Sequence, residues 1–266
     1  EKHGVLLGCK PIERDKNDMG RRKSTKSLLK DYAKHGGSIE NYRPFLKSNG
    51  GGSRGTVSLV PDPIEHRMIH LLSDTESMMY YFLRCDENVA HIREQYLLDT
   101  DIINDVREQL GYRRVSSAVC YTTDFLVDYK NGDLHAYSVK YKSSLFDPDN
   151  VEYKGNQYAY AKLIERQNTE RAYWESQNVG FSIVTRDDLM KYRIRIKNNA
   201  FIMRFYDELF ITNTEQKLLY LIAHHYYHVD MDSEFINPKA LVANATFDID
   251  AVYEKAISMK GALLNG

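Results

Sequence analysis

Three residues at two places in this 266-residue chain suggest phosphodiester chemistry. Thr122-Thr123-Asp124-Phe125-Leu126-Val127-Asp128 is followed by Asn131-Gly132 and then by Ala136-Tyr137-Ser138-Val139-Lys140; Glu76 stands upstream, at the start of an expected helix. Hydrolysis of a phosphodiester builds negative charge on a pentavalent phosphorus, and a hard cation stabilises that charge well. Mg²⁺, with Mn²⁺ as a substitute, takes carboxylate, carbonyl and water oxygens and serves as Lewis acid, water activator and template. Asp124 and Glu76 would supply carboxylates and the Val139 carbonyl a further oxygen. Lys140 would orient or help deprotonate the attacking water and offset charge on the phosphate. Ser73-Asp74-Thr75-Glu76 reads also as a capping box, with Glu76 reaching back to the Ser73 amide. Asp124 and Lys140 read also as polar strand ends.

Whether acid and lysine can meet depends on the register of the strands that carry them. Phe125, Val127 and Tyr129 alternate with Asp124, Leu126 and Asp128, a period of two. Asn-Gly is a strong hairpin signal. A two-residue turn would put Asp124 opposite Val139 and point Lys140 to the other face. A three-residue loop, Lys130-Asn131-Gly132 with glycine in the left-handed region, puts Asp124 opposite Ser138 and Thr122 opposite Lys140. It also gathers Phe125, Val127, Tyr137 and Val139 on one apolar face, and this is the register expected.

The elements around the hairpin follow the same logic. Ser73 to Leu83 reads as a helix, Val89 to Leu97 as a strand, and the stretch after Asp99 as a short helix or loop. Gln157 to Gln177 is a long helix with Gly180 beyond its end, and Phe181 to Thr185 a buried strand. Together they predict a mixed-sheet α/β core. Glu165 and Glu170 lie on the long helix about 140° apart, so both cannot face one site. Ser48-Asn49-Gly50-Gly51-Gly52-Ser53-Arg54-Gly55 is a turn or loop that lacks the Lys-Ser/Thr of a nucleotide-binding loop.

His70-Leu71-Leu72-Ser73-Asp74-Thr75-Glu76, Ile92-Arg93-Glu94-Gln95-Tyr96, Thr123-Asp124-Phe125-Leu126-Val127-Asp128, Ser138-Val139-Lys140 and Glu170-Arg171-Ala172-Tyr173-Trp174 occur in that order. The set, from about Tyr42 to Thr185, resembles TnsA, the endonuclease subunit of heteromeric cut-and-paste transposases. The resemblance implies a restriction-endonuclease-like fold in which Glu76, Asp124 and Lys140 are catalytic. It implies Glu170 as an outer metal or support position, and a supporting role at most for Glu87. One departure stands out: the family's Gln or acid two residues before the lysine is Ser138, a shorter and weaker ligand expected to act through water or not at all. The family implies cutting of the 5′-ending strand at double-stranded transposon ends, beside a TnsB-like transposase that cuts and joins 3′ ends. A TnsC-like AAA+ ATPase connects both to the target. The alternative is a catalytically silent nuclease-fold scaffold linking transposase to ATPase.

Composition agrees without deciding. Apolar residues make up 42% and charged residues 27%, enough for a sizeable core, and net charge is −1. Residues 1–54 hold 13 Lys and Arg against 6 Asp and Glu, or +7; the remainder holds 23 against 31, or −8. This gives a basic N-terminal arm over 1–54, with Arg21-Arg22-Lys23, Lys26, Lys30 and Lys34 as phosphate contacts or as a solvated face. The catalytic domain is expected over 55–186 and a third unit over 187–266. Cys9, Cys85 and Cys120 form no C-x-x-C pair, which points to a reduced, cytoplasmic setting, and the family resemblance implies a bacterial one. No run is apolar enough for a membrane span.

The third unit reads as helical and winged-helix-like. Lys217 to Tyr226 is an apolar helical run, Asn237-Pro238-Lys239 opens a second helix, and Thr246 or Asp248 caps a third that Gly261 ends. Asp248, Asp250 and Glu254 on that third helix disfavour a DNA-reading role; the family's use of this part to bind the ATPase fits better. His224, His225 and His228 include an i, i+4 pair that could hold a metal, but no acid or Cys completes it.

Overall fold

The computed structural model describes residues 24–35, 39, 41–48, 56–153 and 156–264. Arg21, Arg22, Lys23, Cys9 and residues 49–55 of the glycine-rich stretch lie outside these. Helix α1 (Thr25–His35) turns Lys26, Lys30 and Lys34 to solvent at four-residue spacing. Its inner side sets Tyr32 edge-on to Phe45.

A β-hairpin missed in the sequence comes next: β1 (Ser58–Asp62) pairs antiparallel with β2 (Arg67–Leu71). Helix α2 (Asp74–Arg84) starts at Ser73, whose hydroxyl accepts the Glu76 amide. Strand β3 (Val89–Leu97) has the expected bounds, and α3 (Thr100–Gln109) is capped by Asp99. Strands β4 (Thr122–Tyr129) and β5 (Leu134–Lys140) form the expected hairpin, α4 (Gln157–Ser176) crosses over, and β6 (Gly180–Thr185) runs parallel to β5. The four-stranded sheet has the order β3-β4-β5-β6.

The three-residue loop is realised. Phe125 pairs with Tyr137 and Asp128 with Leu134. Tyr129 N donates to Asp133 O at 2.9 Å, and Gly132 takes φ +91°, where a side chain would be strained. The ladder ends at Phe125, however, so Thr122 does not pair with Lys140 as expected. Beyond that point β4 and β5 separate.

Alternation along the hairpin splits two cores. Phe125, Val127 and Val139 meet Met79, Tyr80 and Leu83 of α2 on one face. Leu126 and Ala136 meet Ile103 and Val106 of α3 and Tyr173 and Trp174 of α4 on the other. The result is a helix–sheet–helix sandwich. Helices α5 (Arg186–Met190) and α6 (Arg193–Ile202) follow β6, and they send Leu189 and Ile196 into the first core. Asn199 of α6 donates to the Tyr81 carbonyl of α2 at 2.8 Å. Packing therefore carries the first core past residue 187.

Helices α7 (Thr214–Ala223), α8 (Pro238–Ala243) and α9 (Ile249–Leu264) build a separate core around Leu218, Leu219, Leu221, Ile249 and Tyr253. Asn237 and Asp248 cap the last two, as read from the sequence. Two expectations change. Among the described residues no strand follows β6, so the three helices carry no wing. Helix α9 also runs past Gly261, because a single glycine costs a helix only about 1 kcal/mol. Its early acids are tied down: Lys217 of α7 lies 2.9 Å from Asp250 and 3.7 Å from Glu254. His224 is packed between Tyr206 and Tyr220, with Nε2 2.9 Å from the Tyr206 carbonyl. Among the described residues no helix is long and apolar enough to cross a membrane.

Candidate active site

The separation of β4 from β5 makes the site. Val139 N has lost its strand partner and donates instead to the Asp124 carboxylate, 2.6 Å from Oδ2. Lys140 Nζ reaches the same oxygen at 3.4 Å, and also Ser138 Oγ at 2.7 Å and Val139 O at 3.0 Å. Acid and lysine therefore share one crevice, each about one-fifth exposed.

Glu76 enters from α2. Its carboxylate accepts from Leu72 N and from the Ser73 hydroxyl, both at 2.9 Å, rather than from the Ser73 amide. It thus serves the helix start and still faces the site. Burial, and then the nearby Asp124 charge, push its pKa up to about 7.

Gln95 joins the two acids. Its Nε2 lies 3.3 Å from Glu76 Oε2 and 3.5 Å from Asp124 Oδ1. Its backbone is left-handed, φ +49°, unusual for any residue but glycine. That turn switches the phase of β3, since Ile92 belongs to the first core whereas Tyr96 packs on Trp174 in the second. The sequence contains Gln95 in the quoted Ile92–Tyr96 word, but no local pattern gives it a role. Its neighbours are structural: Arg93 grips Asp128 at 2.8 and 3.0 Å, and Glu94 takes Arg67 at 2.8 and 2.9 Å.

Glu170 closes the back of the site from α4 and is 2% exposed. Thr123 Oγ1 donates to its Oε1 at 2.6 Å, and Ser138 Oγ donates to its Oε2 at 3.2 Å. Trp174 Nε1 donates to Thr123 Oγ1 at 2.7 Å. Burial and then the Asp124 charge push Glu170 up to about 7, against the pull of Lys140. One turn before it, Gln167 is buried with neither amide atom hydrogen-bonded. Glu165 faces elsewhere and pairs with Arg107 and Lys162. Glu87 is not hydrogen-bonded into the cluster; it lines a separate cleft with His225 and His228.

Residues 86–186 match the family model of the TnsA-like endonuclease N-terminal domain. Asp124, Lys140 and Glu170 fall inside that stretch, and Glu76 lies ahead of it. The chain is also 27% identical over 154 residues to the transposon Tn7 transposition protein TnsA of Escherichia coli, covering 56% of this chain and 52% of that protein. The chain thus spans about half the length of the curated relative it matches.

The donor set of this TnsA-like domain suits a hard cation. Two carboxylates bridged by one amide lie beside a backbone carbonyl, and burial followed by the Asp124 charge raises Glu76. Among the described residues no three His, Cys, Asp or Glu side chains stand together as a metal cage. Zinc favours such a cage. Mg²⁺ does not need one, because it binds through one or two carboxylates and keeps several waters. Cys85 and Cys120 are free thiols, and burial pushes Cys85 up to about 12.

Proposed function

We propose that this chain is a divalent-metal-dependent DNA endonuclease that cuts the 5′-ending strand at transposon ends. The reading includes a complex with a partner transposase and an AAA+ ATPase in the bacterial cytoplasm. The observation that carries it is Asp124, held by Val139 N at 2.6 Å, with Lys140 Nζ 3.4 Å away and Glu76 linked through Gln95.

Glu76, Asp124 and the Val139 carbonyl would hold Mg²⁺. When bound, the ion supplies Lewis-acid stabilisation and water activation. The chain's own residues do the rest. Gln95 fixes the two carboxylates relative to one another, so little reorganisation accompanies reaction. Lys140 presents its ammonium beside Asp124, where it offsets charge on a scissile phosphate. The transposon-end substrate and the TnsB- and TnsC-like partners are supported by similarity to a Tn7 transposition protein. Helix α9, with its early acids turned to Lys217, offers phosphate little attraction, which favours protein contact for the C-terminal helices.

The test is strand-resolved cleavage of transposon-end DNA with Mg²⁺, the chain and its partner proteins, beside Asp124→Ala and Lys140→Ala. Loss of 5′-end cuts alone in both variants is the expected result. Unchanged cuts in both would move catalysis to a partner and leave this chain a scaffold.

A further inference from the structure

Ser138 stands where the resemblance leads one to expect a longer metal-facing side chain, and it is 1% exposed. Its single hydroxyl proton is directed to Glu170 Oε2 at 3.2 Å, which leaves its lone pairs to accept Lys140 Nζ at 2.7 Å. Glu170 is in turn fixed by Thr123 at 2.6 Å, and Thr123 by Trp174 at 2.7 Å. The bonds thus converge on one carboxylate: Trp174 donates to Thr123 and Thr123 to Glu170, while Lys140 donates to Ser138 and Ser138 to Glu170. Both Glu170 oxygens are taken by hydroxyls.

We propose that Ser138 and Glu170 are positioning residues for Lys140, with Ser138 as the link and Glu170 as its anchor, and that Glu170 does not ligate the metal. This rests on the nuclease reading for its consequence, though not for its geometry. Of the three acceptors around Nζ, Ser138 gives the shortest contact, and the other two belong to the metal-facing groups Asp124 and Val139. Without Ser138 the ammonium would collapse onto those groups instead of standing between them and the anchor. A serine suffices here because the acid it replaces in function is supplied from α4.

Ser138→Ala deletes one oxygen from a packed site, and Glu170→Gln keeps the volume while removing one acceptor oxygen. The full metal-free chain, ¹⁵N-labelled, is examined for the Lys140 side-chain ammonium signal, which is protected from exchange only when the three protons are held. The expected result is a protected signal in the native chain and its loss in both variants. In the strand-resolved cleavage assay, kcat falls about tenfold to a hundredfold with KM unchanged, as expected for loss of one hydrogen bond to a charged group. Ser138→Thr, which keeps the hydroxyl, restores both readouts. An unprotected native signal, or one unchanged in Ser138→Ala, overturns the proposal. A signal protected in the native chain and lost in both variants, with a native chain that cuts nothing in the assembly, would leave the positioning role standing and refute the nuclease reading.

Discussion

The Asp124 carboxylate takes the place of a strand: it accepts the Val139 amide at 2.6 Å, just where the β4–β5 ladder stops. The acid is therefore both a candidate metal ligand and the partner of a backbone group, and substitutions separate the two roles. Asp124→Asn keeps an acceptor and should melt close to the native chain. Asp124→Ala strands the Val139 amide and should cost about 1–3 kcal/mol. Both should lose at least about a hundredfold in cleavage, the scale on which a single electrostatic group acts. Thermal melts beside strand-resolved cleavage check this; an Asp124→Asn variant as active as the native chain would remove the carboxylate from the chemistry.

Gln95 offers the opposite separation. A left-handed backbone costs a non-glycine residue roughly 1–2 kcal/mol, and Gln95 holds φ +49° while bridging Glu76 and Asp124. Gln95→Gly should therefore leave stability unchanged or slightly raised, yet slow cleavage by tenfold or more because the two carboxylates lose their common donor. Denaturant unfolding and single-turnover cutting give the two numbers. Lower stability together with native activity would mean that the bridge serves only the fold.

The sequence made the hairpin legible because its period of two and its Asn-Gly turn are local signals, and the β4–β5 register follows from them. The departure beyond Phe125 was not legible. It depends on the Asp124 side chain competing for a backbone amide and on β3 changing phase at Gln95, both long-range effects. Glu76 illustrates a different limit, since its spacing from Ser73 suits a cap as well as a site, and here its carboxylate holds the helix start while it is linked through Gln95 to Asp124. The β1–β2 hairpin escaped notice because Asp62, Glu65 and Arg67 read as surface charges until their partners are known. Helices α5 and α6 likewise lacked a clean amphipathic pattern, and only packing against α2 assigns them to the first core.

Asp62 and Glu65 supply a stability prediction. Arg84 of α2 is fully buried, 2.7 Å from Asp62 and 2.9 Å from Glu65, so the β1–β2 hairpin is fastened to α2 by charge. Breaking such a pair leaves an uncompensated buried carboxylate, and Arg84→Met should cost about 3–5 kcal/mol in urea unfolding. Adding Asp62→Asn should recover part of that loss. An Arg84→Met variant as stable as the native chain would show that the network contributes little.

The acid cluster predicts how stability depends on pH. Glu76 and Glu170 are each pushed up to about 7 in the folded chain, chiefly by burial and then by Asp124. In the unfolded chain they titrate in the ordinary carboxylate range near 4.3. Between those values the folded state holds protons that the unfolded state has released, so stability falls as pH rises through the window and levels off above it. For one carboxylate the loss is at most about 4 kcal/mol. Glu170→Gln should therefore flatten the slope between pH 5 and 7 (roughly the window set by those pKa values) and raise the melting temperature at pH 8. Mg²⁺ competes with the proton at Glu76, so added Mg²⁺ should stabilise the native chain more at pH 8 than at pH 5. It should do so equally well in Glu170→Gln if Glu170 is not a ligand. A native chain whose metal-free stability rises between pH 5 and 7 would contradict the buried, mutually repelling carboxylates on which this site is built.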